Sequence, residues 1–234
     1  MVMPAHNEAM VIGSVVRGVH RVLPDARILV VNDGSDDNTG AEALAAGAQV
    51  INLPFNCGYG VALHTGLTSA LRSGAEMVIT CDADGQHEPE SLRSLMQPIA
   101  SDKADLVLGS RYLPDSVSYR VPVLRRATSY CLAWVLSVIA GQRFTDTTTG
   151  FQCMNRKTLQ RFATLKDFPE KTPDADLILY AVMTGCRVME VPVTMHHDQR
   201  GDSMHGVFKS MFYVPKLFTA VLGILLAYSF QKRI

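Results

Sequence analysis

The stretch Thr80-Cys81-Asp82-Ala83-Asp84-Gly85-Gln86-His87 follows the apolar run Met77-Val78-Ile79, where a buried strand should end. Asp82 and Asp84, spaced i and i+2, and the carboxamide oxygen of Gln86 can converge on one hard divalent cation. Such a cation takes oxygen ligands and, if magnesium-like, shares them with phosphate oxygens, so the implied partner is a diphosphate. The competing reading is structural: Asp and Gly are common turn residues that end a strand. A second carboxylate-bearing turn, Asn32-Asp33-Gly34-Ser35-Asp36-Asp37, closes Arg27-Ile28-Leu29-Val30-Val31, which reads as a buried strand.

These turns need elements that bring them to one place. Val2-Met3 is a very short apolar lead into Pro4, so the first strand is expected to be nearly absent. Val11, Ile12, Val15, Val16 and Val19 recur at helical spacing. Helical character over Asn38 to Gly47 and a strand Gln49 to Leu53 follow, then a helix opened by Asn56-Cys57-Gly58-Tyr59-Gly60. The third glycine of a dinucleotide fingerprint is missing there, since Leu63 stands in its place, and no Walker-type phosphate loop occurs. Strand, loop and helix thus alternate three times before Asp82, the pattern of an α/β layer with a mostly parallel sheet. Ligands of such sheets gather beyond the carboxyl ends of the strands. Further along, Pro89 opens a helix through Ile99, and Asp105 to Gly109 is a strand delivering Ser110-Arg111-Tyr112 to the same edge. Leu113 to Pro122 reads as a loop able to order over a ligand. The polar Thr145 to Phe151, a short helix around Leu159, a helix Ala175 to Thr184, a strand Val188 to Val193 and a loop from His196 complete the pattern.

The chain of 234 residues, 47% hydrophobic and 19% charged, suits one large domain or two small ones. Its formal net charge of zero gives no global electrostatic case for nucleic acid binding. Five scattered cysteines without a C-x-x-C pair suggest neither a disulfide framework nor a zinc site and fit a reducing cytosol. No basic or apolar leader precedes the first motif. Ala127 to Gln142 and Leu217 to Gln231 lack charge, but each is shorter than the roughly 20 residues of a spanning helix. Both read as core helices or as membrane-surface helices, the latter favoured by Arg125-Arg126 and Lys232-Arg233 beside them.

In order, the chain carries Pro4-Ala5-His6-Asn7-Glu8, Asn32-Asp33-Gly34-Ser35-x-Asp37, Asn56-x-Gly58-Tyr59-Gly60-x-Ala62 and Asp82-x-Asp84-x-Gln86-His87. Gly109-Ser110-Arg111-Tyr112, Thr149-Gly150-Phe151 and Glu190-Val191-Pro192-Val193 follow. Together these motifs resemble a family 2 glycosyltransferase, and within it the dolichol- or polyprenyl-phosphate hexose synthases. The resemblance implies a GT-A fold: one Rossmann-like α/β domain over 1–206, with a nucleotide-sugar half (1–112) and an acceptor half (113–206); the uncharged run beyond it reads as an apolar helix over 207–234, buried or at a membrane surface. It places the nucleoside among Pro4, His6, Glu8, Asp33 and Asp82, where the family usually has Tyr in place of His6. It puts Mg²⁺ or Mn²⁺ on Asp82, Asp84 and Gln86. It also implies inverting transfer of a hexose from a nucleotide-diphosphate sugar to a polyprenyl phosphate.

A sugar hydroxyl acceptor needs a base, whereas a lipid phosphate is already an anion. Many hydroxyl-transferring relatives carry a Glu-Asp pair for this purpose, and the chain has no Glu-Asp dipeptide. Asp146 is the carboxylate candidate for a base or acceptor orienter. Arg111, Arg125 and Arg200, with Ser203, are the candidates for holding phosphate. Near Gly201-x-Ser203 the arginine expected three residues before the glycine is Asp198, and Arg200 lies adjacent; Asp176 stands where the family has glutamate. The expected place of work is the cytoplasmic face of a membrane, reached peripherally or through a membrane partner protein. A saccharide or other hydroxyl acceptor is the alternative. Remoter ones are a non-catalytic nucleotide-binding protein and a haloacid-dehalogenase-like phosphatase, whose D-x-D-G is echoed by Asp82 to Gly85.

Overall fold

The computed structural model describes residues 1–118, 123–170 and 173–196. Its elements in chain order are β1 (Val2–Ala5), α1 (Ile12–Val22), β2 (Leu29–Asn32), α2 (Thr39–Ala45), β3 (Gln49–Asn52), α3 (Tyr59–Arg72) and β4 (Met77–Thr80). Then come α4 (Leu92–Ala100), β5 (Leu106–Ser110), β6 (Val117–Ser118), α5 (Val123–Ala140), β7 (Gln152–Asn155) and α6 (Arg156–Ala163). The last are α7 (Pro173–Met183), β8 (Val188–Pro192) and β9 (Thr194–Met195).

A seven-stranded sheet of order β3-β2-β1-β4-β7-β5-β8 forms the centre. All neighbours run parallel except β7, which lies antiparallel between β4 and β5. Alternation within strands divides the core. Val2, Val78, Leu106 and Leu108 face the side covered by α3, α5, α6 and α7, while Met3, Ile79 and Val107 face α1 and α4. On α1, Ile12, Val16 and Val19 are all buried, as their spacing predicts.

Two expectations need correction. The first strand is short but present, with Val2 to Ala5 paired residue for residue with Leu29 to Asn32 and Val2 also paired with Thr80. Flanked on both sides, four residues suffice, and Val2 and Met3 are fully buried. Strand β7 was not expected at all. Gln152-Cys153-Met154-Asn155 has neither alternation nor a β-branched residue, and it is held by neighbours on both edges. Within the expected loop Leu113 to Pro122, Val117–Ser118 pairs with Thr194–Met195 as a small second sheet.

The order reverses between β1 and β4, each flanked by strands that lead away in opposite directions, and this opens a crevice beyond their carboxyl ends. Because β7 is reversed, its entry loop Thr149-Gly150-Phe151 arrives at that same edge. Arg200, Ser203 and the expected helix over 207–234 lie outside the described residues.

Candidate active site

Strand β4 delivers Asp82 to the crevice. Thr80 Oγ1 donates to the Gly150 carbonyl at 2.7 Å, tying the end of β4 to the loop entering β7. Asp82 accepts from the Tyr59 hydroxyl at 3.1 Å, and His87 Nε2 lies 3.4 Å from its other oxygen. Burial presses the Asp82 pKa upward, but the His87 ring, the Tyr59 hydroxyl and the Arg111 charge together hold it below the ordinary value. Tyr59 is driven the other way, first by burial and then by the Asp82 and Asp174 carboxylates, so it stays a hydrogen-bond donor. Asp84 Oδ1 accepts the Gln86 N–H at 3.0 Å, and Gly85 at φ 76° lets the chain reverse there. The His87 ring stacks on Phe151 at 4.4 Å between centroids.

Gly150 leaves room for the Asp82 carboxylate. A Cβ there would sit 3.0 and 3.2 Å from the two Asp82 oxygens and 2.9 Å from the Tyr59 hydroxyl. Asp82, Asp84 and Gln86 offer oxygen donors only, the set preferred by Mg²⁺ or Mn²⁺. Among the described residues no three His, Cys, Asp or Glu side chains form a metal cage. Two carboxylates completed by ligand oxygens are the usual arrangement for magnesium beside phosphates, so the residues fit such an ion.

Beside this loop, Arg111 and Asp146 form a buried pair. Arg111 Nε and Nη2 donate to the two Asp146 oxygens at 2.6 and 2.7 Å, and the Arg111 N–H adds a third bond at 3.0 Å. Arg111 Nη2 also reaches the Thr148 hydroxyl at 2.7 Å. Asp146 has no exposed surface, and Arg111 is 6% exposed. Glu190 fixes the backbone beneath them by accepting the Thr145 and Asp146 N–H groups, each at 2.8 Å. Asp174, in the first turn of α7, lies within electrostatic reach of Asp82, Arg111 and Asp146. Its pKa is raised to about 7, first by burial and then by Asp82, with Arg111 opposing and Asp146 and Asp176 adding.

Along β1 to β3 the expected nucleoside residues assemble. Pro4 lies within β1 and pairs with Val31. The Glu8 N–H donates to Thr39 Oγ1 at 2.7 Å, and Glu8 is buried. Asp33 is turned towards its own chain, accepting the Cys57 N–H at 2.7 Å and the Gly58 N–H at 2.9 Å. His6 Nδ1 donates to the Asp33 carbonyl at 2.8 Å, which leaves Nε2 to accept from the Asn56 amide at 3.1 Å. A cavity of about 610 Å³ opens here, lined by His6, Asn32, Ser35, Asn52, Phe55 and Asn56 among others.

The sequence profile described as "Glycosyl transferase family 2" matches residues 1–167. The chain is a family 2 glycosyltransferase. One relative of this glycosyltransferase is the polyprenol monophosphomannose synthase of Mycolicibacterium smegmatis, 32% identical over 210 residues, which cover 87% of this chain and 79% of that protein. Another is the dolichyl-phosphate hexose transferase of Haloferax volcanii, 32% identical over 87% of this chain and 84% of that protein. Among solved structures, glucosyl-3-phosphoglycerate synthase from Mycobacterium tuberculosis, in complex with Mn²⁺ and uridine-diphosphate-glucose, superposes with a TM-score of 0.69. It is 19% identical over 95% of this chain and 78% of that one, a likeness of fold, and the single α/β domain is of the expected GT-A kind.

The fold of the glycosyltransferase thus brings Asp82, Asp84, Gln86, His6, Glu8, Asp33, Arg111 and Asp146 to one edge of the sheet. Arg125 falls on α5, its side chain outside the description. Sequence reasoning gave no role to Tyr59, His87, Gly150 or Glu190, although each stood inside a motif. It passed over Asp174 entirely, whose one signal was the pair Asp174-x-Asp176 just after Pro173.

Proposed function

We propose that this glycosyltransferase moves a hexose from a nucleotide-diphosphate sugar to a polyprenyl phosphate, with inversion at C1, at a membrane surface. The observation that carries the reading is the Arg111–Asp146 pair. Both Asp146 oxygens are occupied by a guanidinium, so Asp146 is a positioning residue and a poor proton acceptor. Arg111 in turn is a fixed cation close enough to Asp82 to lower its pKa. A fixed cation suits an anionic acceptor, and a phosphate oxygen attacks without surrendering a proton.

In this reading Asp82, Asp84 and Gln86 hold Mg²⁺ or Mn²⁺, which when bound supplies positive charge to the departing diphosphate. Tyr59 and His87 orient Asp82, and Gly150 keeps the space before it open. Glu8, His6 and the cavity beside them take the nucleoside. The phosphatase alternative fits poorly, because its nucleophilic Asp would end a first strand and Asp82 ends the fourth.

One observation favours a second reading, a hydroxyl acceptor. Burial, with Asp82 second, raises the Asp174 pKa to about 7 before a cation sits on Asp82, so this carboxyl can accept a proton near neutrality. Incubation with radiolabelled nucleotide sugars, Mn²⁺ and polyprenyl phosphate separates the two. Label extracted with the lipid, retained in Asp174→Asn, is the expected result. Label confined to water-soluble product and lost in Asp174→Asn transfers the assignment to the second reading, and no transfer to either acceptor overturns both.

A further inference from the structure

We infer that Phe55 is the stacking platform for the nucleobase of the donor, an inference that rests on the donor-site reading above. Among the described phenylalanines Phe55 alone is exposed, at 66%, and it lines the 610 Å³ cavity. An exposed aromatic ring gains nothing from the core, yet the backbone under it is fixed from three directions. Gly34, at φ 59°, is pressed against the Phe55–Asn56 peptide so closely that a Cβ would lie 2.2 Å from the Phe55 carbonyl carbon. Asp33 holds the next two N–H groups, those of Cys57 and Gly58. The Asn56 side chain is bonded to the His6 ring at 3.1 Å. A loop whose backbone is tied in place therefore presents an aromatic ring to a cavity.

The rest of the lining matches a flat ligand with an apolar face and a polar edge. The Asn32 amide donates to Asn52 Oδ1 at 2.9 Å, and Asn32 Oδ1 accepts from Ser35 Oγ at 2.5 Å, so a ladder of amides and a hydroxyl stands beside the ring. Amides read the edge of a heterocyclic base, and an aromatic ring takes its face. This division also accounts for Asp33: its carboxylate builds the loop that carries the ring.

The test is calorimetric titration of uridine diphosphate, guanosine diphosphate and pyrophosphate, each with Mn²⁺, into the wild-type chain, Phe55→Ala and Phe55→Trp. The expected result is nucleoside diphosphate binding weakened about tenfold or more in Phe55→Ala, with pyrophosphate binding unchanged. In Phe55→Trp binding persists, and the new tryptophan emission is quenched by the preferred nucleoside diphosphate and not by pyrophosphate. Equal nucleotide affinity in wild type and Phe55→Ala, or an emission unmoved by nucleotide, overturns the inference while leaving the donor site standing. Failure of the wild type to bind either nucleotide overturns the donor-site reading and this inference with it.

Discussion

Arg111 and Asp146 function as one unit, and the burial of both decides what a substitution does. Asp146→Asn keeps the shape but removes one charge of a buried pair, leaving a guanidinium without its full counter-charge. Breaking such a pair costs about 3–5 kcal/mol. The expected outcome is an unfolding free energy, from urea titration, lowered by an amount in that range, with kcat falling in parallel because Arg111 is no longer held. A residue acting as a base would give the opposite split, a lost rate with stability nearly intact. Comparing urea unfolding with single-turnover rates for Asp146→Asn and Arg111→Lys distinguishes the roles, since lysine restores charge but not the two-pronged geometry. At this scale the sequence showed which side chains could do chemistry. It did not show which of their oxygens are already spent, because that depends on contacts such as Arg111 with Asp146 and Asp33 with Cys57, between residues far apart in the chain.

Elements are stapled at the end of the sheet away from the crevice by Asp105. Its carboxylate accepts from the Arg187 N–H at 2.8 Å, from Arg187 Nε and Nη2 at 3.1 Å each and from the Asn155 amide at 2.8 Å, linking β5, β7 and β8. Arg187 holds the carboxyl pKa down to about 2 against the cost of burial, with the Asn155 amide assisting. A folded-state pKa below the unfolded value, 3.8 for this carboxyl, adds stability that is present above about pH 4 and is lost as pH falls towards 2. With Arg187 half exposed, its worth is about 1–2 kcal/mol. Asp105→Asn should therefore lose about that much at pH 7, and the gap to wild type should shrink between pH 4 and pH 2 in urea titrations. Equal gaps at both ends of that range would show that the staple is not ionic. Elements with strong apolar runs, such as β2, β4 and β5, were legible in the sequence. Strand β7 was not, since Gln152-Cys153-Met154-Asn155 becomes a strand through its neighbours and not through propensity. The crevice was legible only in part, for the antiparallel β7 is what carries Gly150 to Asp82.

At the scale of the whole molecule, the proposed acceptor lies in a bilayer, so the crevice must reach a lipid surface. No helix among the described residues is long and apolar enough to cross a membrane. Helix α5 offers a different kind of contact. Tyr130, Trp134 and Val138, four residues apart, are 43%, 68% and 64% exposed, and the side of α5 that carries Leu132 and Leu136 is buried in the core. Arg126 is exposed one turn before Tyr130 and donates to its hydroxyl at 3.1 Å, and α5 contains no acidic residue. An apolar stripe with aromatic residues and a cationic end is what an anionic interface attracts. Ser129 on the same helix lies 3.4 Å from Thr148, itself bonded to Arg111, so docking this face would bring the bilayer near the site. Trp134 is the only tryptophan in the sequence, and its emission reports the contact directly. Vesicles containing phosphatidylglycerol should co-sediment the protein and shift this emission to shorter wavelength, whereas pure phosphatidylcholine should do so weakly. Trp134→Ala with Val138→Ser should reduce sedimentation several-fold and reduce transfer to polyprenyl phosphate in vesicles. The same variant should retain nucleotide binding, because the donor cavity is built from β1 to β3. An emission unchanged by anionic vesicles would remove α5 as the docking face and require the lipid to approach from another side of the crevice.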